Sequence, residues 1–262
     1  MSDRLVKIHE EIGPVVATAI HDGHAVRHEV AKRLALDEAT RLREEDPFTG
    51  TLAAVAPTWL VPVRSRFEVD LNRPRDQAVY RGPDDAWDLD VWSEPFAEPL
   101  IERSLAEYDA FYALLERVLR ERERRHGCFV LLDLHSYNYR REGADAPPAD
   151  PALHPEVNVG TGMVDRARWG ALIDRFCADL AACRVRGHPL DVRENVRFKG
   201  GYLCQRVHER FPERGCALAV ELKKVFMDEW TGRPDHQHLD QLTAAFEASV
   251  PLLLGELACG AA

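Results

Sequence analysis

Apolar residues follow two rhythms along this chain, and their alternation carries the fold. Three short runs, Pro14-Val-Val-Ala-Thr-Ala-Ile20, Phe129-Val-Leu-Leu132 and Cys216-Ala-Leu-Ala-Val220, have the length and apolar character of buried strands, and Trp59-Leu-Val-Pro-Val63 that of an extended segment. Between them lie stretches in which apolar residues return every three or four positions. Leu105, Tyr108, Phe111, Tyr112, Leu115, Val118 and Leu119 keep that spacing and predict one long amphipathic helix over residues 95–125. Further helices are predicted over 26–36, 167–182, 202–210 and 236–254, and a short strand over 156–160. Phe67-Glu-Val-Asp-Leu71 alternates apolar with acidic residues, the pattern of a half-buried strand. Strands alternating with helices predict the α/β class: a three-layer α/β/α sandwich with a central mixed, largely parallel sheet. A single domain over 1–262 is expected, with loop excursions near 74–92 and 140–155.

Polar residues gather where the apolar runs end. In Phe129-Val-Leu-Leu-Asp-Leu-His-Ser-Tyr137, Asp133 and His135 stand two apart and so share one face of a strand. One nitrogen of the imidazole can then be held by the Asp while the other faces a metal. His21 follows the first run and Glu221 the last. The C-terminal edge of such a sheet is where α/β folds place their ligands. A catalytic zinc takes three protein ligands and keeps one position open. His21 and His135 are the natural imidazoles, with a carboxylate as third ligand. Hydrolysis of an amide also needs a base, a cation for the developing oxyanion and a grip on the substrate, and Glu221, Arg66 and Arg73 fit by residue type.

Four segments in order, Ser65-Arg-Phe-Glu-Val-Asp-Leu-Asn-Arg-Pro74, Leu132-Asp-Leu-His-Ser136, Gly200-Gly-Tyr202 and Val220-Glu-Leu222, follow an early strand ending in His21-Asp-Gly23. Together they resemble the N-formylglutamate amidohydrolase family, within the broader zinc carboxypeptidase and aspartoacylase-like group. The resemblance extends over about residues 14–228 and implies the zinc-carboxypeptidase-like version of the sandwich. It implies Zn(2+) as cofactor with His21 and His135 as ligands, and Glu221 in the place of the water-activating glutamate. Arg66 takes the place of an oxyanion or substrate-binding cation, and Asn72 with Arg73 that of the pair gripping a substrate carboxylate. Gly200 and Gly201 would let the backbone approach the ligand. The carboxypeptidase pattern His-x-x-Glu is absent, because His24 stands three residues after His21. The family's acidic ligand is matched by Asp46 in Asp46-Pro-Phe-Thr49, with Glu45 and His24 as the alternatives. The implied substrate is a small acidic N-acyl amino acid such as N-formylglutamate. A carboxypeptidase or deacylase acting on a peptide conjugate, and a metabolite-binding protein on the same scaffold, are the competing readings.

Composition narrows the partners. A net charge of −10 argues against a nucleic-acid surface. No apolar run has the length of a membrane helix, and Met1-Ser-Asp-Arg-Leu5 lacks the basic start and apolar core of a secretory signal, so a cytoplasmic protein is expected. Oligomeric state, monomer or homodimer, stays open. Six scattered cysteines without a Cys-x-x-Cys pair are expected to be reduced thiols.

Overall fold

The computed structural model describes residues 5–257. In chain order the strands are β1 (Val6–Glu10), β2 (Val15–Thr18), β3 (Thr58–Pro62), β4 (Phe129–Tyr137), β5 (Val157–Gly160), β6 (Arg184–Val185), β7 (His188–Pro189), β8 (Val192–Glu194) and β9 (Gly215–Lys223). The helices are α1 (His28–Ala31), α2 (Glu38–Glu44), α3 (Thr49–Ala53), α4 (Glu98–His126), α5 (Arg166–Ala182), α6 (Tyr202–Arg210), α7 (His236–Ser249) and α8 (Leu253–Glu256). Seven strands form one sheet in the order β1-β3-β2-β4-β9-β5-β8, and β6 with β7 forms a small hairpin. The pairs β3–β2, β2–β4, β4–β9 and β5–β8 are parallel, whereas β1–β3 and β9–β5 are antiparallel, so the sheet is mixed and largely parallel.

Helices cover both faces. On one, α3, α5 and α7 pack Leu52, Phe176 and Phe246 against Val130, Leu132, Leu218 and Val220. On the other, α4 and α6 pack Phe111, Leu115, Leu119 and Val207 against Phe129, Leu131, Ala217 and Ala219. Every residue of β4 is buried, as expected of a central strand between two helical layers. The long helix α4 buries Ile101, Tyr108, Phe111, Tyr112, Leu115, Val118 and Leu119 at helical spacing and ends at Gly127, whose φ of 78° is the left-handed closure glycine tolerates. Truncating a fully buried aromatic such as Phe176 would cost about 3–5 kcal/mol through lost burial and the cavity left behind.

Three expectations change. Phe67–Leu71 is a buried turn and not a strand: Glu68 and Asp70, which the alternation assigned to solvent, are fully buried. Arg27 pairs with Glu68 through its Nε, and its backbone N–H donates to the same carboxylate at 2.7 Å, so the burial is paid for by charge and hydrogen bonding. The predicted helix over 26–36 shrinks to the single turn α1, while the charged stretch before Asp46 is helical as α2, capped by the Asp37 carboxylate accepting from Thr40 N–H at 2.7 Å. Cys177, Cys183, Cys204 and Cys216 are free thiols, but Cys128 is disulfide-bonded; Cys259 and the N-terminal Met1–Arg4 lie outside the described residues. No helix among the described residues is long and apolar enough to cross a membrane.

Candidate metal centre

The period of two along β4 divides its residues between layers. Phe129 and Leu131 belong to the α4/α6 core, and on the same face Asp133 and His135 continue the row towards the C-terminal edge. Register then brings the neighbours in: Thr18 of β2 lies opposite Asp133, Glu221 of β9 opposite His135, and Asn158 of β5 opposite Glu221. His21 arrives three residues after β2. Asp46 is drawn to it from the end of α2 by its own backbone, Asp46 N–H donating to the His21 carbonyl at 2.9 Å.

His21, Asp46 and His135 are all buried, and one potential ligand atom from each lies within 4.8 Å of the others. Asp46 Oδ2 stands 3.0 Å from His135 Nδ1 and 3.4 Å from His21 Nδ1. The opposite nitrogens are taken: His135 Nε2 lies 2.9 Å from Asp133 Oδ2, and His21 Nε2 lies 2.7 Å from Asp70 Oδ1. Asp133 is itself held by the Thr18 hydroxyl, which donates to Oδ1 at 2.7 Å. A carboxylate behind each imidazole fixes the ring and points its other nitrogen inward. His21 Nδ1 is buried with no hydrogen-bond partner. An orphaned inward nitrogen, a second inward nitrogen and a carboxylate oxygen are a donor set that fits a divalent ion with nitrogen and oxygen ligands. His24 and Glu45, the alternatives to Asp46, are turned to each other; Glu45 also accepts from the Ser65 hydroxyl.

The charges follow from these contacts. Burial opposes the Asp46 anion, but the hydrogen bond from His135 and the nearby charge of both histidines hold its carboxyl well below the usual range. Burial likewise opposes protonation of His135, and the Asp133 and Glu221 carboxylates outweigh it and push the imidazole up. Glu221 is pushed up to about 7, chiefly by burial, with His135 pulling the other way. Lys224, just beyond β9, donates through Nζ to the carbonyls of Arg43 and of Glu45, the latter at 2.7 Å, and burial brings it down to about 8. That ammonium ties the end of α2 in place immediately before Asp46.

These groups form the floor of a cavity of about 370 Å³. Of the residues singled out in the sequence, His21, Asp46, His135, Glu221, Arg66, Asn72, Gly200 and Gly201 line it. Arg66 donates to Asp70 at 2.9 Å and lies 4.6 Å from the centre of the Trp87 ring. Asn72 is carried by a turn that α4 holds, Tyr112 and Tyr108 donating to the carbonyls of Leu71 and Arg73. Its Oδ1 accepts from Leu203 N–H at 3.0 Å, and a Cβ on Gly201 would stand 2.3 Å from its Nδ2, so the glycine makes room for the amide. Arg73 is not among the lining residues: it donates to the Asp85 carbonyl at 2.8 Å, packs over Tyr80 and lies 3.7 Å from the Asp70 carboxylate. The lining residues Glu44, Asn138, Arg141, Arg197, Lys199 and Lys224 were not read from the sequence. They come from loops and helix ends, where no periodicity marks them. Asp70 stands out in the sequence only as an acid of the alternating stretch Phe67–Leu71, and only the fold sets it behind His21.

A buried His–Asp–His cluster sized for one ion, with a carboxylate beside it in a cavity at the C-terminal edge of an α/β/α sheet, is the makeup of a metal-supported hydrolase. The N-formylglutamate amidohydrolase family model matches residues 13–227, and the chain belongs to that family. It is a hydrolase acting on a carbon–nitrogen bond other than a peptide bond. The fold is similar to that of an N-formylglutamate amidohydrolase from Ralstonia eutropha, at a TM-score of 0.74, 17% identity and coverage of 96% of each chain. It is also similar to a gene product of Agrobacterium tumefaciens, at a TM-score of 0.67 and 15% identity over 97% of this chain and 96% of that one. No curated protein matches the sequence.

Proposed function

We propose that this protein is a zinc-dependent amidohydrolase that cleaves a short N-acyl, above all N-formyl, amino acid with an acidic side chain, such as N-formylglutamate. The observation that carries the reading is the convergence of His21 Nδ1, His135 Nδ1 and Asp46 Oδ2, each imidazole backed by a buried carboxylate, next to Glu221. His21, Asp46 and His135 would hold a zinc ion, which when bound would supply Lewis acidity, lowering the pKa of water and polarising a carbonyl.

The chain's own residues supply the rest. Glu221 takes the proton from the attacking water and returns it to the amide nitrogen as the carbon–nitrogen bond breaks, releasing the free amine and the carboxylic acid of the acyl group. Arg66, set by Asp70 and Trp87, offers N–H donors to the acyl oxygen as it gains charge. Asn72 orients the substrate from the cavity wall. A cavity of about 370 Å³ has room for an amino-acid-sized substrate.

The test is metal content by mass spectrometry on protein purified without chelator, followed by a hydrolysis panel of N-formyl and N-acetyl amino acids and dipeptides. About one zinc per chain, lost in His135→Ala, with N-formyl acidic amino acids hydrolysed fastest, is expected. Metal-loaded protein that hydrolyses only peptides, or nothing, would sink the proposal.

A further inference from the structure

Five cations line the cavity, and four are engaged. Arg66 is held by Asp70, Arg141 donates to Glu44 at 2.8 Å, and Lys224 is tied to two backbone carbonyls. Arg197 meets His154 Nε2 at 2.8 Å and packs over the rings of Tyr137 and Phe198. Among the described residues lining the cavity, Lys199 is the one cation whose side chain has neither a hydrogen bond nor an ion pair. Arg73, the cation that the family resemblance offered for a carboxylate, lies outside the wall.

The segment bearing Lys199 is held closely although the lysine itself is exposed. Asn158, fully buried, accepts through Oδ1 from the backbone N–H groups of Arg197 at 2.8 Å and Phe198 at 3.3 Å, and its Nδ2 donates to the Phe198 carbonyl at 2.8 Å. Gly162 N–H donates to the Lys199 carbonyl at 2.7 Å. The turn Gly160-Thr161-Gly162 lets this segment come near: a Cβ on Gly160 would meet Gly200 N at 2.7 Å, and one on Gly162 would meet Lys199 Cβ at 2.8 Å. Gly200 completes the approach with a φ of 123°. Because Asn158 lies opposite Glu221 in the β5–β9 register, the strand that neighbours the proposed base also holds the lysine's loop.

We infer that Lys199 binds the side-chain carboxylate of the substrate and that the 197–201 loop selects acidic over neutral N-acyl amino acids. The inference rests on the amidohydrolase reading and extends it. An ammonium on a flexible stem at a solvent-facing wall suits a carboxylate whose distance varies with side-chain length, where a fixed guanidinium fork would not. Asn158 acts as a positioning residue for this loop.

The experiment compares N-formyl-L-glutamate with its neutral isostere N-formyl-L-glutamine, using metal-loaded wild type, Lys199→Met and Lys199→Arg. In Lys199→Met the ratio of kcat/KM for the glutamate over the glutamine substrate should fall roughly 10- to 100-fold, mainly through KM, as expected for losing a hydrogen bond to a charged group. Lys199→Arg should recover part of it. An unchanged ratio, including equal losses on both substrates, overturns the inference. Should the wild type hydrolyse neither amide, the amidohydrolase reading fails, and calorimetry with L-glutamate and L-glutamine then decides for Lys199. Weaker glutamate binding in Lys199→Met supports it, and equal binding refutes it.

Discussion

The floor of the cavity and its mouth are built on different principles. On the floor, His21, Asp46 and His135 are at most 3% exposed, and each imidazole has one nitrogen committed to a buried carboxylate. Asp133, His135 and Glu221 hold their places by strand register, which a substitution elsewhere cannot shift without slipping a sheet. At the mouth, Trp87 is 42% exposed with a φ of 54°, and Lys199 extends from a loop into solvent. The floor is therefore suited to chemistry that needs fixed distances, and the mouth to selection, which tolerates adjustment.

Breaking the floor should have the largest effect. Glu221→Gln removes the proposed proton carrier without removing a proposed metal ligand, so turnover should fall roughly 100- to 10,000-fold while metal content by mass spectrometry stays at the wild-type level. Retained turnover would remove Glu221 from its role. Asp70→Asn and Asp133→Asn each loosen one imidazole from behind; metal affinity measured by chelator competition should weaken roughly 10- to 100-fold in either. If only one variant weakens binding, the two histidines are not equivalent arms of the site.

Acidity probes the same floor more gently. In the proposed role Glu221 must be an anion, so activity should fall as pH drops through its pKa, by about tenfold per unit once below it. That pKa is about 7 without metal, and a bound cation lowers it, placing the acid limb of kcat at or below about 7. For stability the sign reverses. A carboxyl raised from its ordinary 4.5 to about 7 favours the folded state while protonated, and this contribution is lost as pH rises between those values. Thermal melts of the metal-free protein across that window should lose the corresponding slope in Glu221→Gln. The smallest effect belongs to the mouth: Trp87→Ala removes a partly exposed ring from the Arg66 guanidinium, a contact worth about 0.5–1 kcal/mol, and should lower kcat/KM by roughly 2- to 5-fold. A loss as large as that of the floor variants would show that the distinction between the two regions is false.

Five strands of the central sheet, β2, β3, β4, β5 and β9, and the helices α4, α5 and α6 are legible because their residues form apolar runs or are buried at a regular period, whereas the edge strands β1 and β8 carry no such signal. The same regularity exposed Asp133, His135 and Glu221 as polar groups at the ends of apolar runs. Where burial was not periodic the reading failed. Phe67–Leu71 shows an alternation that means a half-exposed strand only if the acids face water; here Arg27 and His21, each more than 40 residues earlier, take them inside. The direction of Arg73 was not legible either, since a motif gives residue types and their order but not where a side chain goes once Tyr80, Asp85 and Asp70 compete for it.

By itself the sequence determined the layer architecture, the family and the identity of the groups at the sheet's C-terminal edge, because these depend on local periodicity and on short motifs. Only the tertiary structure decided that Asp46 rather than Glu45 or His24 meets the two histidines, that Asp70 stands behind His21, and that Lys199 rather than Arg73 faces the cavity. Those choices turn on contacts between segments far apart in the chain, where burial, hydrogen bonding and close glycine packing select one of several chemically equivalent side chains.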